Sequence, residues 1–323
     1  MIELAAFDLI RGELALVEDL ILSRLEETFP ALADPLRALF KSGGKRLRPA
    51  VTLLASKFHP CSPREVHFLA AATEVLHTAT LVHDDLIDGA LMRRGMPTLN
   101  ATWARGATVL AGDYLFAHSA DLAAQSNNLR VVRLFSQTLM TICDGELRQM
   151  FSSLRWQQPK EDYYRRIFAK TASLFEAAAQ GGAILSGAPE EHIEALRRYG
   201  YAFGMAFQIV DDILDFIGDE KVMGKPAGSD LRQGTVTLPV FYFLQEDPRA
   251  PVLIEILDSA QADGKGRLSE AIAMIQDSPA IDLAKREAEA FVEEAKEALS
   301  ALPDVPARAA LADLADFVVR RHW

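Results

Sequence analysis

Residues 77–88 read HTATLVHDDLID, an apolar run that leads directly into three aspartates. On a helix, Asp84 and Asp88 are four residues apart and share one face, with Asp85 beside them. Gly89 follows as a natural helix terminator. This stretch therefore predicts a buried helix that ends in a cluster of carboxylates.

Residues 207–215, FQIVDDILD, repeat the pattern, with Gln208 one turn before Asp211, Asp212 and Asp215. A solvated acidic face would explain one such cluster, but two matching clusters in apolar sequence favour bound cations that offset the desolvation of the carboxylates. Oxygen ligands suit Mg²⁺, which typically takes one or two carboxylates and completes its shell with water and substrate phosphate. The two clusters together predict a magnesium and diphosphate site.

The rest of the 323-residue chain has the same helical spacing of apolar residues, and alternating strand-like runs are scarce. An all-α fold is predicted, with residues 1–323 as a single domain, because no linker is long or polar enough to separate two. Pro30 and Pro35 are interpreted as breaks between helices. The similarity of the two aspartate clusters indicates a pseudo-symmetric helical bundle.

The formal net charge of −11 argues against general nucleic-acid binding, which needs a basic surface. The two cysteines, Cys61 and Cys143, lack C-x-x-C spacing and fit a reducing compartment. The first residues have no pattern of a secretory signal, and no apolar run reaches about 18 residues. A cytoplasmic protein that is not an integral membrane protein is expected.

Basic residues occur in several separate places where they could bind an anion. Residues 43–49, GGKRLRP, put three cations between a flexible glycine pair and a proline, although an ordinary basic helix start is the alternative. Arg93 and Arg94 follow the first cluster closely, and a structural ion-pair network is the alternative there. The remaining candidates are weak alone, since they could be solvated lysines or a core histidine: Lys170 with Thr171, Lys225 and His77.

The chain resembles the trans-isoprenyl diphosphate synthases, and within them the long-chain polyprenyl diphosphate synthases. The resemblance rests on GGKRLRP, HTATLVHDDLID, RRG, GDYL, KT, FQIVDDILD, GKPAGSD and TLP, which occur in this order over nearly the whole chain. It implies an all-α bundle with a central cavity, the two clusters facing each other across its mouth, and a homodimer. One departure is Thr235, where many relatives carry a lysine that contacts phosphate.

The resemblance also assigns roles to residues. The principal Mg²⁺ ligands are Asp84, Asp88 and Asp211, supported by Asp85, Asp212 and Asp215, and Asp215 is counted with the metal ligands. The catalytic set is Asp84, Asp85, Asp88, Asp211, Asp212 and Lys170. Isopentenyl diphosphate is expected to contact Lys45, Arg48, His77 and Arg94. The allylic diphosphate is expected to contact Arg93, Lys170, Thr171, Gln208 and Lys225. Independently of the resemblance, structural roles are expected for His83, Asp113, Glu146 and Gln149.

The implied reaction condenses isopentenyl diphosphate with an allylic prenyl diphosphate and lengthens the chain by five carbons. Ala79 and Thr80 lie one helical turn before Asp84, and their small side chains favour a geranylgeranyl or longer product over a farnesyl-length one. Within that range the resemblance implies an octaprenyl-like product, with quinone side chains as an expected use. A geranylgeranyl product is the alternative. A terpene cyclase and a non-catalytic synthase subunit are remote alternatives. Cyclases usually replace the second cluster with a mixed Asn/Ser/Glu pattern, and such subunits tend to lose the aspartates, whereas this chain has both complete sets.

Overall fold

The computed structural model describes residues 5–25, 28–93, 95–152, 156, 158–218, 227–263 and 267–320. It is 81% helical, which confirms the predicted all-α class. In chain order the α-helices are α1 Ala5–Asp8, α2 Arg11–Leu25, α3 Pro30–Lys41, α4 Leu47–Ala55, α5 Pro63–Ile87, α6 Leu99–Thr102, α7 Arg105–Ala124, α8 Leu129–Ser152, α9 Lys160–Ile167, α10 Ser173–Leu185, α11 Glu190–Ile217, α12 Ser229–Arg232, α13 Leu238–Glu246, α14 Ala250–Asp263, α15 Leu268–Gln276, α16 Ala280–Ala298 and α17 Pro306–Arg320.

The chain forms two compact units whose segments alternate along the sequence. The first unit comprises Met1–Leu139, Leu174–Gly200 and Ala298–Leu314. The second unit comprises Met140–Ser173, Tyr201–Glu297 and Ala315–Trp323. The assignment of residues 1–323 to a single domain stays a prediction.

The first unit is built around two helices that are buried along most of their length. Every residue of α4 is buried, and α5 buries apolar side chains on all sides from Val66 to Val82 while it contacts α2, α4 and α7. A helix that is apolar all round belongs at the centre of a domain rather than on its surface. Pro63 opens α5 at the first helical position, where its missing N–H group is not needed.

The second unit has an aromatic core. The side chains of Tyr163, Phe203, Phe216 and Phe243 are fully buried, and the amide of Gln276 donates a 2.5 Å hydrogen bond to the main-chain oxygen of Phe216. Large aromatic rings bury more area per residue than aliphatic side chains, so a few of them fix how the helices pack.

The break predicted at Pro35 is wrong, because Pro35 lies inside α3, whereas the break at Pro30 is confirmed, since α2 ends at Leu25 and Pro30 is the first residue of α3. Pro30 occupies the first turn, where no hydrogen bond is lost, but Pro35 lies inside the helix and removes one main-chain donor. Leu32, Leu36 and Phe40 are buried on one face of α3. Their burial offsets the missing hydrogen bond, which local propensity alone could not reveal.

Within the described ranges the only strands are β1 Met92–Arg93 and β2 Met96–Pro97, which pair antiparallel directly after α5. Gly95 in the turn has a φ of 76°, a left-handed conformation that favours glycine. No described helix combines the length and the apolar character needed to cross a lipid bilayer.

Candidate functional site

The first aspartate cluster lies at the carboxyl end of α5, as predicted. The helix stops in a Schellman motif: the Ala90 N–H group donates to the Asp85 main-chain oxygen at 2.9 Å, and Gly89 has a φ of 64°. Asp84 is half-buried and Asp88 is exposed at the helix end, whereas the Asp85 side chain is buried at 6% exposure. The three carboxylates therefore differ sharply in their access to solvent.

The buried member of this cluster is paired with a guanidinium group. Arg93 Nε on β1 lies 2.8 Å from Asp85 Oδ1. Burial raises the pKa of the Asp85 carboxyl, and the positive charge of Arg93 opposes that shift without cancelling it. The predicted allylic contact Arg93 is thus brought to the first cluster. Arg94, predicted to contact isopentenyl diphosphate, lies outside the described residues.

The basic residues before and at the start of α4 have two different roles, one structural and one predicted in substrate binding. Arg46 has a left-handed backbone with a φ of 50°, and its guanidinium donates to Glu18 at 2.8 Å and to Glu74 at 2.5 Å. Arg46 is therefore a structural residue that links α2 and α5. The predicted contacts Lys45 and Arg48 remain on the same loop and helix start: Lys45 is half-buried, and the Arg48 guanidinium stacks over the Phe175 ring at 4.5 Å from its centroid.

The other predicted residues of α5 lie upstream of the cluster. His77 is half-buried, and its main-chain oxygen accepts a 2.7 Å hydrogen bond from the hydroxyl of Thr80. Ala79 is fully buried, whereas Thr80 is half-buried. Thr80 therefore has more free surface than Ala79 on the segment that was predicted to face the growing chain.

His83 packs against a glycine of the neighbouring helix, which supports its predicted structural role. A Cβ atom on Gly112 of α7 would lie 2.3 Å from His83 Nε2. The same nitrogen lies 3.4 Å from a carboxyl oxygen of Asp113, and the His83 ring centroid is 4.9 Å from that of Phe116. Gly112 is thus needed for α7 to approach the end of α5 closely.

The second aspartate cluster lies near the end of α11, and its first two aspartates differ in exposure as those of the first cluster do, whereas its third is buried. Asp211 is half-buried, whereas Asp212 and Asp215 are each 3% exposed. Asp215 Oδ2 accepts a 3.0 Å hydrogen bond from the main-chain N–H of Asp230, and the Asp215 main-chain oxygen accepts from Gly228 at 2.7 Å. The Asp215 side chain thus binds the first turn of α12. Its predicted role as a metal ligand stays a prediction.

Asp212 is the centre of a chain of side-chain hydrogen bonds. The hydroxyl of Tyr163 donates to Asp212 Oδ2 at 2.9 Å, and the amide nitrogen of Gln208 donates to Asp212 Oδ1 at 2.8 Å. The amide oxygen of Gln208 in turn accepts from the Thr171 hydroxyl at 2.6 Å. Burial and the nearby charge of Asp230 raise the pKa of Asp212, and the hydrogen bonds oppose this.

Lys170 and Thr171 lie in a π-helical turn, Phe168–Ala172, between α9 and α10. Such turns are rare and occur often at functional sites. The turn is closely packed against two helices: a Cβ atom on Gly145 of α8 would lie 2.4 Å from a Cβ atom of the turn, and one on Gly204 of α11 would lie 2.5 Å from a Cα atom of the turn. Glycine at both positions therefore lets the turn approach α8 and α11.

The ammonium group of Lys170 contacts Glu146, whose Oε1 lies 2.9 Å from Lys170 Nζ. Glu146, predicted to be structural, is therefore a partner of a predicted diphosphate ligand. Sequence reasoning missed Tyr163 as a member of the site, because its contact with Asp212 joins residues far apart in sequence. The one available signal was its position two helical turns before Lys170. The predicted contact Lys225 lies outside the described residues.

Among the residues that the structure describes, no three His, Cys, Asp or Glu side chains are grouped so that they could hold a metal ion by themselves. The accessible donors of the two clusters are carboxylate oxygens, which suit a hard divalent cation. A magnesium ion needs only one or two such carboxylates when substrate phosphate and water complete its shell. The residues present therefore fit a metal that binds together with a diphosphate.

Comparison with known proteins decides which family has this arrangement. A family model described as polyprenyl synthetase matches residues 29–275. The chain belongs to the polyprenyl synthetase family. The predicted relationship to the long-chain trans-isoprenyl diphosphate synthases is confirmed, and with it the predicted class of enzyme, a trans-prenyltransferase that elongates prenyl chains.

Individual members of the polyprenyl synthetase family match over nearly their whole length. Heptaprenyl diphosphate synthase component 2 of Geobacillus stearothermophilus is 37% identical, over 99% of both chains. Nonaprenyl diphosphate synthase of Mycobacterium tuberculosis is 36% identical, over 97% of this chain and 93% of the relative. A polyprenyl synthase from Caulobacter crescentus, crystallised with calcium and isoprenyl diphosphate, is 34% identical with a TM-score of 0.92, over 98% of this chain and 97% of that one.

Proposed function

We propose that this polyprenyl synthetase family member condenses isopentenyl diphosphate with an allylic prenyl diphosphate and releases a long-chain all-trans polyprenyl diphosphate. The observation that carries the proposal is that the first two aspartates differ in exposure in the same way in both clusters. In each, the first aspartate, Asp84 or Asp211, is accessible, and the second, Asp85 or Asp212, is buried and held by a donor side chain. Two complete clusters distinguish this activity from that of a terpene cyclase or a non-catalytic subunit.

In this proposal Asp84, Asp88, Asp211 and Asp215 hold Mg²⁺, and Lys170 acts with the clusters. When bound, the metal would offset the negative charge that develops on the departing diphosphate. The calcium in the Caulobacter relative supports a divalent cation.

The proposed reaction breaks the bond between C1 of the allylic substrate and its diphosphate. The terminal double bond of isopentenyl diphosphate attacks that carbon, and the new unit then loses a proton and forms a trans double bond. Released diphosphate is the proposed proton acceptor. Burial of the surrounding apolar helices excludes water, which would otherwise capture the allylic cation.

Two sets of basic and polar residues are proposed to bind the substrates. Isopentenyl diphosphate is assigned to Lys45, Arg48, His77 and Arg94, and the allylic diphosphate to Arg93, Lys170, Thr171, Gln208 and Lys225. The stacking of Arg48 on Phe175 and the pairing of Lys170 with Glu146 support these assignments, because fixed cations bind an anion with less loss of side-chain entropy.

The product is proposed to be longer than geranylgeranyl diphosphate. Ala79 and Thr80 are both small, and the named relatives include heptaprenyl and nonaprenyl synthases. We propose that the product becomes the side chain of a quinone and that the enzyme acts in the cytoplasm.

A homodimer is proposed from an exposed apolar face of α8. Met140, Leu147 and Phe151 share this face and are 70%, 53% and 84% exposed.

The second candidate is an assembly with a different protein, since the Geobacillus relative is named as one component of a synthase. Light scattering should give the mass of a dimer for the purified chain and of a monomer for Met140→Asp. A monomeric wild-type chain that needs a second protein for activity would favour the second candidate.

The activity is tested by incubating the purified chain with Mg²⁺, isopentenyl diphosphate and farnesyl diphosphate, followed by mass spectrometry of the products. A ladder that ends at a long polyprenyl diphosphate is expected, with none in the presence of a chelator. A purified chain that elongates no primer, alone or with a partner, would contradict the proposal.

A further inference from the structure

We propose that Tyr163 is a positioning residue of the allylic site: its hydroxyl fixes the Asp212 carboxylate and, through Gln208 and Thr171, the turn that carries Lys170. The inference rests on the proposed function, because it concerns how the allylic diphosphate end of that site is held in place.

The chain of hydrogen bonds has one consistent direction. The carboxylate of Asp212 only accepts, so it receives one bond on each oxygen, 2.9 Å from Tyr163 and 2.8 Å from Gln208. Because the amide nitrogen of Gln208 faces Asp212, its oxygen faces Thr171 and accepts that hydroxyl proton at 2.6 Å. With both oxygens held, the carboxylate has one orientation, and the amide and the hydroxyl follow from it.

Tyr163 is 0% exposed, so it does not contact substrate and acts only through its neighbours. Its ring is fixed by surrounding groups: the ring centroids of Tyr164 and Phe241 lie 5.6 Å and 5.8 Å away, and the Arg166 guanidinium lies 5.4 Å above it. A fully buried ring with neighbours on several sides holds its hydroxyl in one place, which makes it a better anchor than the half-buried Gln208.

The far end of the chain is the π-helical turn. The main-chain hydrogen bonds of this turn have π-helical rather than α-helical spacing, and the side-chain bond from Thr171 to Gln208 on α11 helps to fix the position of the turn. Lys170 is the adjacent residue, and its ammonium contacts Glu146 on the other side. Loss of the Tyr163 hydroxyl should therefore loosen Asp212 first and the Lys170 turn second.

Tyr199 supplies a matched control. It is also 0% exposed, and its hydroxyl donates a 2.8 Å hydrogen bond to the main-chain oxygen of Leu311 in the first unit. Tyr163→Phe and Tyr199→Phe each remove one buried hydroxyl, so both should lower Tm by about 1–4 °C. A purely structural role for Tyr163 would make the two variants alike in every other respect.

The test measures kcat and KM for both substrates in wild type and in the two variants, together with the calorimetric affinity for inorganic diphosphate. Tyr163→Phe should lower kcat/KM for farnesyl diphosphate by about 10–100-fold, weaken diphosphate binding and leave the KM for isopentenyl diphosphate within about twofold. Tyr199→Phe should leave all three within about twofold. In Tyr163→Phe combined with Thr171→Val, the losses should be less than multiplicative, because both act through one chain.

Equal kinetics and equal diphosphate affinity in the two phenylalanine variants, with an active wild type, would overturn the role of Tyr163. An inactive wild type would instead refute the proposed function. If the wild type is inactive, the affinity for inorganic diphosphate becomes the test of the role of Tyr163. A loss of affinity in Tyr163→Phe but not in Tyr199→Phe supports that role, and an unchanged affinity in Tyr163→Phe overturns it.

Discussion

Arg93 and Asp85 form a 2.8 Å ion pair that ties the β1–β2 hairpin to the end of α5. The carboxylate is buried and the guanidinium is about one-third exposed, so the pair is neither a surface bridge nor a fully buried one. In the second cluster the equivalent Asp212 is held instead by the neutral donors Tyr163 and Gln208. Both clusters therefore have an accessible first aspartate and a buried second one, but they use different chemistry to stabilise that buried carboxylate.

Arg93→Met should destabilise the protein, because it leaves the Asp85 carboxylate buried without its charged donor. The expected loss in the free energy of unfolding is about 1–2 kcal/mol, reduced from a fully buried pair by solvent screening of the guanidinium. Chemical denaturation measures it. Arg165→Met is the control, since Arg165 is 81% exposed and its 3.2 Å bridge to Asp162 is on the surface. Equal losses in the two variants would show that the Arg93 pair adds no stability.

Gly204→Ala should be strongly destabilising, because the new Cβ atom would lie 2.5 Å from a main-chain atom of the Lys170 turn, which must shift. Overpacking of this kind costs about 1–3 kcal/mol, and the moved turn should also raise the KM for the allylic substrate. Gly106→Ala in α7 is the matched control, because nothing lies within 4 Å of its Cβ position.

Alanine is the better helix former, so Gly106→Ala should be neutral or slightly stabilising. Denaturation and steady-state kinetics of both variants check the prediction. A Gly204→Ala protein as stable and as active as Gly106→Ala would mean that the turn can move freely.

Much of the fold was predictable because its signals are local. The carboxyl end of α5 follows from apolar spacing and from Gly89, and both aspartate clusters lie on the helices that their spacing predicted. The helix α3 was missed because Pro35 is a local signal for a break, while the burial that outweighs it depends on the tertiary fold.

The arrangement within the site was less predictable for the same reason. The π turn at Lys170 shifts the helical register by one residue. Apolar residues in any helix recur at intervals of three or four, so their spacing does not distinguish this shift from an ordinary α-helix. The burial of Asp85 and Asp212, next to accessible Asp84 and Asp211, depends on which partner helix covers each side chain. The spacing within DDxxD does not contain that information.

Because His118 is buried in its neutral form, the free energy of unfolding should decrease in mild acid. Its side chain is buried in α7, and within the described ranges neither ring nitrogen has a hydrogen-bond partner. Burial lowers the pKa of His118, Arg24 lowers it further, and Asp121 opposes them. Above pH of about 6.5 the ring is neutral in both states, whereas below it the unfolded chain binds a proton that the folded chain does not.

The free energy of unfolding should therefore decrease as pH falls from about 7.5 to about 5.5, with at most about 1.4 kcal/mol due to this residue. His118→Leu should remove that part of the decrease while other titrating groups remain. Denaturation of both proteins at the two pH values measures the difference. The same pH dependence in wild type and variant would exclude His118 as its source.

Thr80→Phe should shorten the polyprenyl product. Thr80 is half-buried four residues before Asp84, so a phenyl ring there would occupy the space one turn below the first cluster. Ala79→Phe tests the same idea less cleanly, because Ala79 is fully buried and a larger side chain there would also strain the core. Leu81→Phe is the control, since the next position is turned by about 100° around the helix. Mass spectrometry should show that the longest product of Thr80→Phe is shorter than that of wild type, while the first condensation is largely retained. The longest product of Leu81→Phe should be unchanged.

If Thr80→Phe and Ala79→Phe both made the wild-type product, chain length would have to be set elsewhere in the protein.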